Sequence, residues 1–178
     1  GGGALTLLLT IARLFNRASY QQSLAAMIVC ARLAAALDLT ERDGDWLILA
    51  ALVKDIGESY LDPLLVDGPL PAQQWPQVAE HPLIGHAFLS TFTDLPPALA
   101  VCVLQHHERL VGSGYPQALS AAQISPLATL VGVADCVAAV VLGGASVATL
   151  EARSGWCLGE RVAVALTLVP GEFPPAAV

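Results

Sequence analysis

Apolar positions recur at helical spacing almost from the start of the chain. Leu5, Leu8, Leu9, Ala12 and Phe15 form one stripe, and Leu24, Ile28, Ala31 and Ala35 form another after a polar break at Asn16 to Gln22, so two opening helices are expected. Thr40, followed by Glu41, Arg42 and Asp43, offers an N-cap hydroxyl with an acid three positions on. It predicts a third helix through Trp46, Leu49, Ala50 and Val53 that stops near Gly57. The prolines and the Asp67-Gly68-Pro69 turn signal between Asp62 and Pro76 predict a loop; helical spacing resumes from Trp75 to Phe92, and Pro96-Pro97 opens a helix carrying Ala98 to His107. Gly112-Ser113-Gly114-Tyr115-Pro116 predicts a second loop. Ser120 can cap a helix expected over Ala121 to Leu142, and one more is expected over Leu158 to Leu168, ahead of a proline-rich end. No alternating run reads as a strand and no linker divides the chain. The expected fold is all-α, one compact multi-helix bundle over residues 1–178.

Composition narrows the function classes. Hydrophobic residues make up 55% of the chain and charged residues 13%, which excludes an intrinsically disordered segment. A formal charge of -7 repels phosphate backbones and anionic lipid, so neither DNA nor a membrane surface is an expected partner. The weakly charged stretch from Ile124 to Leu150 could span a bilayer by length, but an ionised Asp135 near its middle would be costly in lipid, so it reads as buried core helix. Cys30, Cys102, Cys136 and Cys157 are widely spaced and form no CxxC pair; they read as small buried hydrophobes in a reducing, cytoplasmic compartment. Gly1-Gly2-Gly3 hints that the sequence is cut from a longer protein.

Polar residues are scarce, so those set in or at the ends of apolar helices need a reason, because burying an unpaired charge costs several kcal/mol on the order of magnitude seen in proteins. Lys54-Asp55, His81, His106-His107-Glu108 and Asp135 stand out on this ground. Alone, His81 reads as a helix-start residue before Pro82, and His86 falls on another face of the same helix. Adjacent imidazoles at His106 and His107 would point about 100° apart on a helix, which suits two positions in a metal cluster. Asp135 lies among Val131, Val133, Ala134, Val137 and Ala139, where a metal or a cation partner would explain it. Imidazole outnumbers carboxylate in this set, which favours iron, manganese, zinc or nickel over calcium.

Together the segments Lys54-Asp55-Ile56-Gly57-Glu58, Glu80-His81-Pro82-Leu83-Ile84-Gly85, His106-His107-Glu108 through Gly112-Ser113-Gly114-Tyr115-Pro116, and Val133-Ala134-Asp135 resemble the HD-GYP family. These are output domains of bacterial signalling proteins, related to the HD metal-dependent phosphohydrolases, and their active members hydrolyse cyclic di-GMP. Gly171 to Pro175 resembles the family's closing turn, so the likeness covers almost the whole chain. Several positions depart from the family pattern. Lys54 stands where the family has the His of its His-Asp pair, Glu58 where it has a lysine, Gln22 where an earlier helix supplies a His, and Val111 where the loop has an Asp. An Arg-Pro-Tyr-Arg segment is replaced by Gly143 to Val147.

The resemblance implies two metal positions. One has lost its early His and the His of the pair, and keeps only Asp55 and Asp135. The other keeps Asp55, His81, His106 and His107, so one divalent transition metal, or none, is expected. Loss of one metal weakens both activation of the attacking water and the clamp on the phosphoryl oxygens. Glu58 further turns the catalytic position acidic. Two readings stay open: a degenerate, pseudoenzyme-like HD-GYP domain that binds a nucleotide or, through Gly112 to Pro116, a signalling protein; and a metal-dependent phosphodiesterase with an atypical site around Asp55.

Overall fold

In a computed structural model the chain is described over residues 2–15, 17–62 and 72–142. Seven α-helices form there: α1 (Gly2–Phe15), α2 (Arg17–Ala36), α3 (Glu41–Val53), α4 (Trp75–Val78), α5 (His81–Leu89), α6 (Pro97–Gln105) and α7 (Pro126–Leu142). Among the described residues there is no strand, only a single antiparallel bridge between Val111 and Ser120, so the all-α expectation is met. The expected helix over Leu158 to Leu168, the Gly143 to Val147 segment and the Gly171 to Pro175 turn lie outside the described residues.

Local chemistry fixes most of the boundaries. Thr40 Oγ1 accepts from the Asp43 amide at 3.1 Å, and Glu41 and Asp43 sit in the first turn of α3, where acids face the positive end of the helix. Four boundaries differ from the expectation. Helix α2 begins at Arg17, so the polar stretch from there to Gln22 is helical. The stretch from Trp75 to Phe92 is two helices separated at Ala79-Glu80. Helix α6 ends at Gln105, two residues short of His107. Between Ser120 and Leu142 a short 3₁₀ turn, Ala121–Gln123, closes under a Ser120/Gln123 capping box; Ile124 is extended, and Pro126 starts α7 at its first position.

Helix α2 lies at the centre, packed on α3 and α7, while α5 packs on α6 and on a 3₁₀ turn, Ile56–Tyr60, that follows α3. Val29, Leu33, Leu47, Val53, Val103, Val131 and Val137 are buried in one continuous apolar core. Helix α7 belongs to that core, and no helix among the described residues is long and apolar enough to cross a membrane. Cys30, Cys102 and Cys136 are free thiols; burial pushes Cys102 up to about 12 and Cys136 up to about 11, so both stay protonated and packed. Cys157 lies outside the described residues.

Candidate functional site

Asp55 leaves α3 at the start of the Ile56–Tyr60 turn, and that turn docks on α5 through Gly57. A Cβ at Gly57 would collide with the carbonyl oxygen of His81, so only glycine lets the two segments close and bring Asp55 to the first residue of α5. His106 caps α6 and His107 lies in the turn beyond it. Because the helix has ended, the two imidazoles are not fanned apart as helical neighbours; their ring centroids lie 3.9 Å apart. One ligand atom from each of Asp55, His81, His106 and His107 falls within 4.8 Å of the others.

Two carbonyls aim this cluster. Nδ1 of His81 faces the Val78 oxygen at 2.8 Å and Nδ1 of His106 faces the Val103 oxygen at 2.7 Å. A carbonyl only accepts, so each Nδ1 carries a proton, and in the neutral ring each Nε2 presents a lone pair. Those lone pairs meet at 3.4 Å, and each lies 3.4 to 3.5 Å from Asp55 Oδ1. Three acceptors turned on one point repel unless a cation lies among them, and nitrogen and carboxylate donors of this kind fit a divalent transition metal. Burial holds His81 down at about 4, with His106 adding to the effect and Asp55 opposing it. His107 is also held well below its usual range, first by desolvation and then by His106 and His81.

The other oxygen of Asp55 has a different partner. Lys54 is 1% exposed, its ammonium pairs with Asp55 Oδ2, and it lies 2.7 Å from Asp135 Oδ1. Gln22 Nε2 donates to the same Asp135 oxygen at 2.7 Å. Burial alone would lower the Lys54 pKa, but the carboxylates of Asp135 and Asp55 outweigh it and hold the amine charged. For Asp55, burial is opposed chiefly by that ammonium, and its carboxyl ends well below the usual carboxylate range. Asp55 therefore divides two environments, imidazoles on one oxygen and an ammonium on the other. Asp135 faces Lys54 and Gln22 and is not among the four converging ligands. Glu58, in the 3₁₀ turn, accepts from Ser19 Oγ at 2.6 Å.

The second loop folds against the cluster. Glu108 is buried and accepts from the amides of Gln117 at 2.7 Å and Leu119 at 2.9 Å, so the acid of the His-His-Glu run anchors the loop. Gly114 passes so close to Glu108 and Arg109 that a Cβ would collide with their backbone. Tyr115 stacks on His107 with centroids 4.6 Å and planes 18° apart, and its amide donates to the His107 oxygen. The loop's aromatic residue thus faces the imidazoles, while Ser113 is exposed and Gly112, Gly114 and Pro116 are half-buried. Burial, together with Asp55 and Asp135, pushes the Tyr115 phenol up, so it stays protonated. His86 stands apart from the cluster, as its place in the sequence suggests.

Two further contributors were missed in the sequence. Arg109 Nη1 donates to the carbonyls of His106 at 3.3 Å and Glu108 at 2.9 Å and so fixes the turn that carries both imidazoles. Trp75 meets Tyr115 edge-on, with centroids 5.5 Å apart. No spacing signal marks either residue.

These features define an all-α domain with a candidate His/Asp metal centre between its helices. The family described as HD domain matches residues 7–152, and the chain belongs to that family. It is 33% identical over 146 residues to a cyclic di-GMP phosphodiesterase of Pseudomonas aeruginosa, covering 81% of this chain and 34% of the relative. It is 31% identical over 101 residues to a 3'3'-cGAMP-specific phosphodiesterase of Vibrio cholerae, covering 56% of this chain and 22% of the relative. The chain thus spans about a third of the first relative's length and less of the second's. Among solved structures, a Bdellovibrio bacteriovorus HDG"Y"P protein superposes with a TM-score of 0.71 at 20% identity, over 83% of this chain and 51% of that one. The HD domain of the Listeria monocytogenes phosphodiesterase PgpH in complex with cyclic-di-AMP gives 0.66 at 12% identity, over 89% of this chain and 91% of that one. At these identities the structures show a shared fold.

Proposed function

We propose that this domain binds a cyclic purine dinucleotide at a single-metal centre and does not turn it over at a useful rate, as the output part of a longer bacterial signalling protein. The relatives' names give the ligand class, phosphodiesterases acting on cyclic di-GMP and 3'3'-cGAMP. The observation that carries the reading is the Lys54 ammonium, held by Asp55 and Asp135, the two carboxylates left from the first of the two metal positions. An internal cation there compensates both charges and competes with any metal ion. Asp55 Oδ1, His81, His106 and His107 would hold one divalent metal, which when bound supplies Lewis-acid polarisation of a phosphate oxygen. Tyr115 contributes a protonated phenol beside it. Glu58 stands where a phosphate-facing cation is needed, and a carboxylate there repels the ligand's charge. Three free thiols fit a reducing, cytoplasmic setting.

The intact four-ligand cluster favours a second reading, slow single-metal hydrolysis. Elemental analysis and calorimetry with cyclic di-GMP separate them. The binding reading expects one metal per chain, saturable binding and nucleotide recovered intact. Two metals per chain, or an absence of binding, would contradict it.

A further inference from the structure

Trp75 is 47% exposed, although indole is among the most apolar surfaces a protein can leave in water. It stands where three rings lead outward from the cluster: His107 under Tyr115, and Tyr115 against Trp75 at 5.5 Å and 81°. The platform is tied to the ligands, because Trp75 opens α4 and Val78, at the end of the same helix, holds His81 through its carbonyl.

We propose that Trp75 is a nucleobase platform, stacking one base of the cyclic dinucleotide beside the His/Asp cluster and setting ligand affinity. This rests on the binding reading above. Between positions 44 and 150 the only Lys and Arg side chains are Lys54 and Arg109. Lys54 is buried against two carboxylates, and Arg109 bonds the carbonyls of His106 and Glu108. Both of these cations are engaged with protein groups, so the exposed ring beside the cluster offers affinity that does not depend on phosphate pairing. Every base has a π-face, so such a platform tolerates guanine and adenine alike.

The test is calorimetry of the metal-loaded wild type, W75F and W75A with cyclic di-GMP and 3'3'-cGAMP, alongside elemental analysis and inorganic phosphate as a probe without a base. Truncation to Ala should weaken both dinucleotides by about 5- to 150-fold, as loss of one base stack does elsewhere, and Phe should recover most of that. Metal content and phosphate binding should stay at wild-type values. Indole emission should be quenched by the dinucleotide in the wild type and much less so in W75F, a readout that survives if W75A does not fold. Wild-type affinity in W75A would overturn the platform while leaving the binding reading in place. Loss of metal or phosphate binding in W75A would make Trp75 a wall of the site and also overturn it. A wild type that binds no dinucleotide would overturn the binding reading and the platform with it.

Discussion

Lys54 Nζ lies 2.7 Å from Asp135 Oδ1, joining the end of α3 to the middle of α7 through one buried ion pair. The same ammonium is shared with Asp55, whose other oxygen faces the imidazoles. The charge of one side chain thus pairs with two carboxylates and leaves a single set of converging candidate metal ligands.

Replacing Lys54 with Met keeps the bulk and removes the charge, stranding two buried carboxylates. Breaking one partner from a buried pair costs about 3–5 kcal/mol, and the variant should lose stability on that scale when unfolded by urea in the presence of a chelator. A midpoint equal to that of the wild type would show that the ammonium does not compensate these acids.

Glu108 should behave as a loop anchor. Changing it to Ala removes the charged acceptor of the Gln117 and Leu119 amides, a loss of about 1.5–3 kcal/mol on the scale of hydrogen bonds to charged groups. Because the loop carries Tyr115 onto His107, metal affinity measured by competition with a chelating dye should fall as well. Unchanged stability and unchanged metal affinity would place the anchor elsewhere.

The fold class was legible because apolar stripes and proline positions report helices directly, and Thr40 marked the start of α3 to the residue. The site residues stood out as polar groups in apolar surroundings, and Asp55, His81, His106 and His107 do converge. What stayed hidden depends on tertiary contact. The end of α6 at Gln105 is stabilised by Arg109 bonding back to the His106 carbonyl, and no local pattern encodes that bond. Gly112 to Pro116 reads from sequence as a docking loop; the close approach of Gly114 to Glu108 and Arg109, and the stacking of Tyr115 on His107, are tertiary contacts that no local pattern encodes. Lys54 was visible as an oddity, and its pairing with Asp135, 81 positions on by number, needed the fold to be seen.

In metal-free protein, stability should fall as the pH drops from about 6.5 to about 4. Burial holds folded His81 at about 4 against the usual 6.5, so in this window the unfolded chain binds more protons than the folded one. Stability then rises with pH, is full above 6.5 and is lost toward 4. His107, also lowered, acts with the same sign. Urea midpoints at pH 7 and pH 5 in chelator check this, with the lower midpoint expected at pH 5; equal midpoints would mean that the imidazoles take up protons without cost.

The most direct measurement of the central claim is product release from cyclic di-GMP by the wild-type domain loaded with manganese or iron. On the proposed reading, in which Lys54 takes the place of a metal and Glu58 that of a cation, no linear dinucleotide or mononucleotide should form above the metal-only background while the ligand stays bound. Steady release of product, abolished by His106→Ala and His107→Ala, would contradict the account and make this domain a working phosphodiesterase.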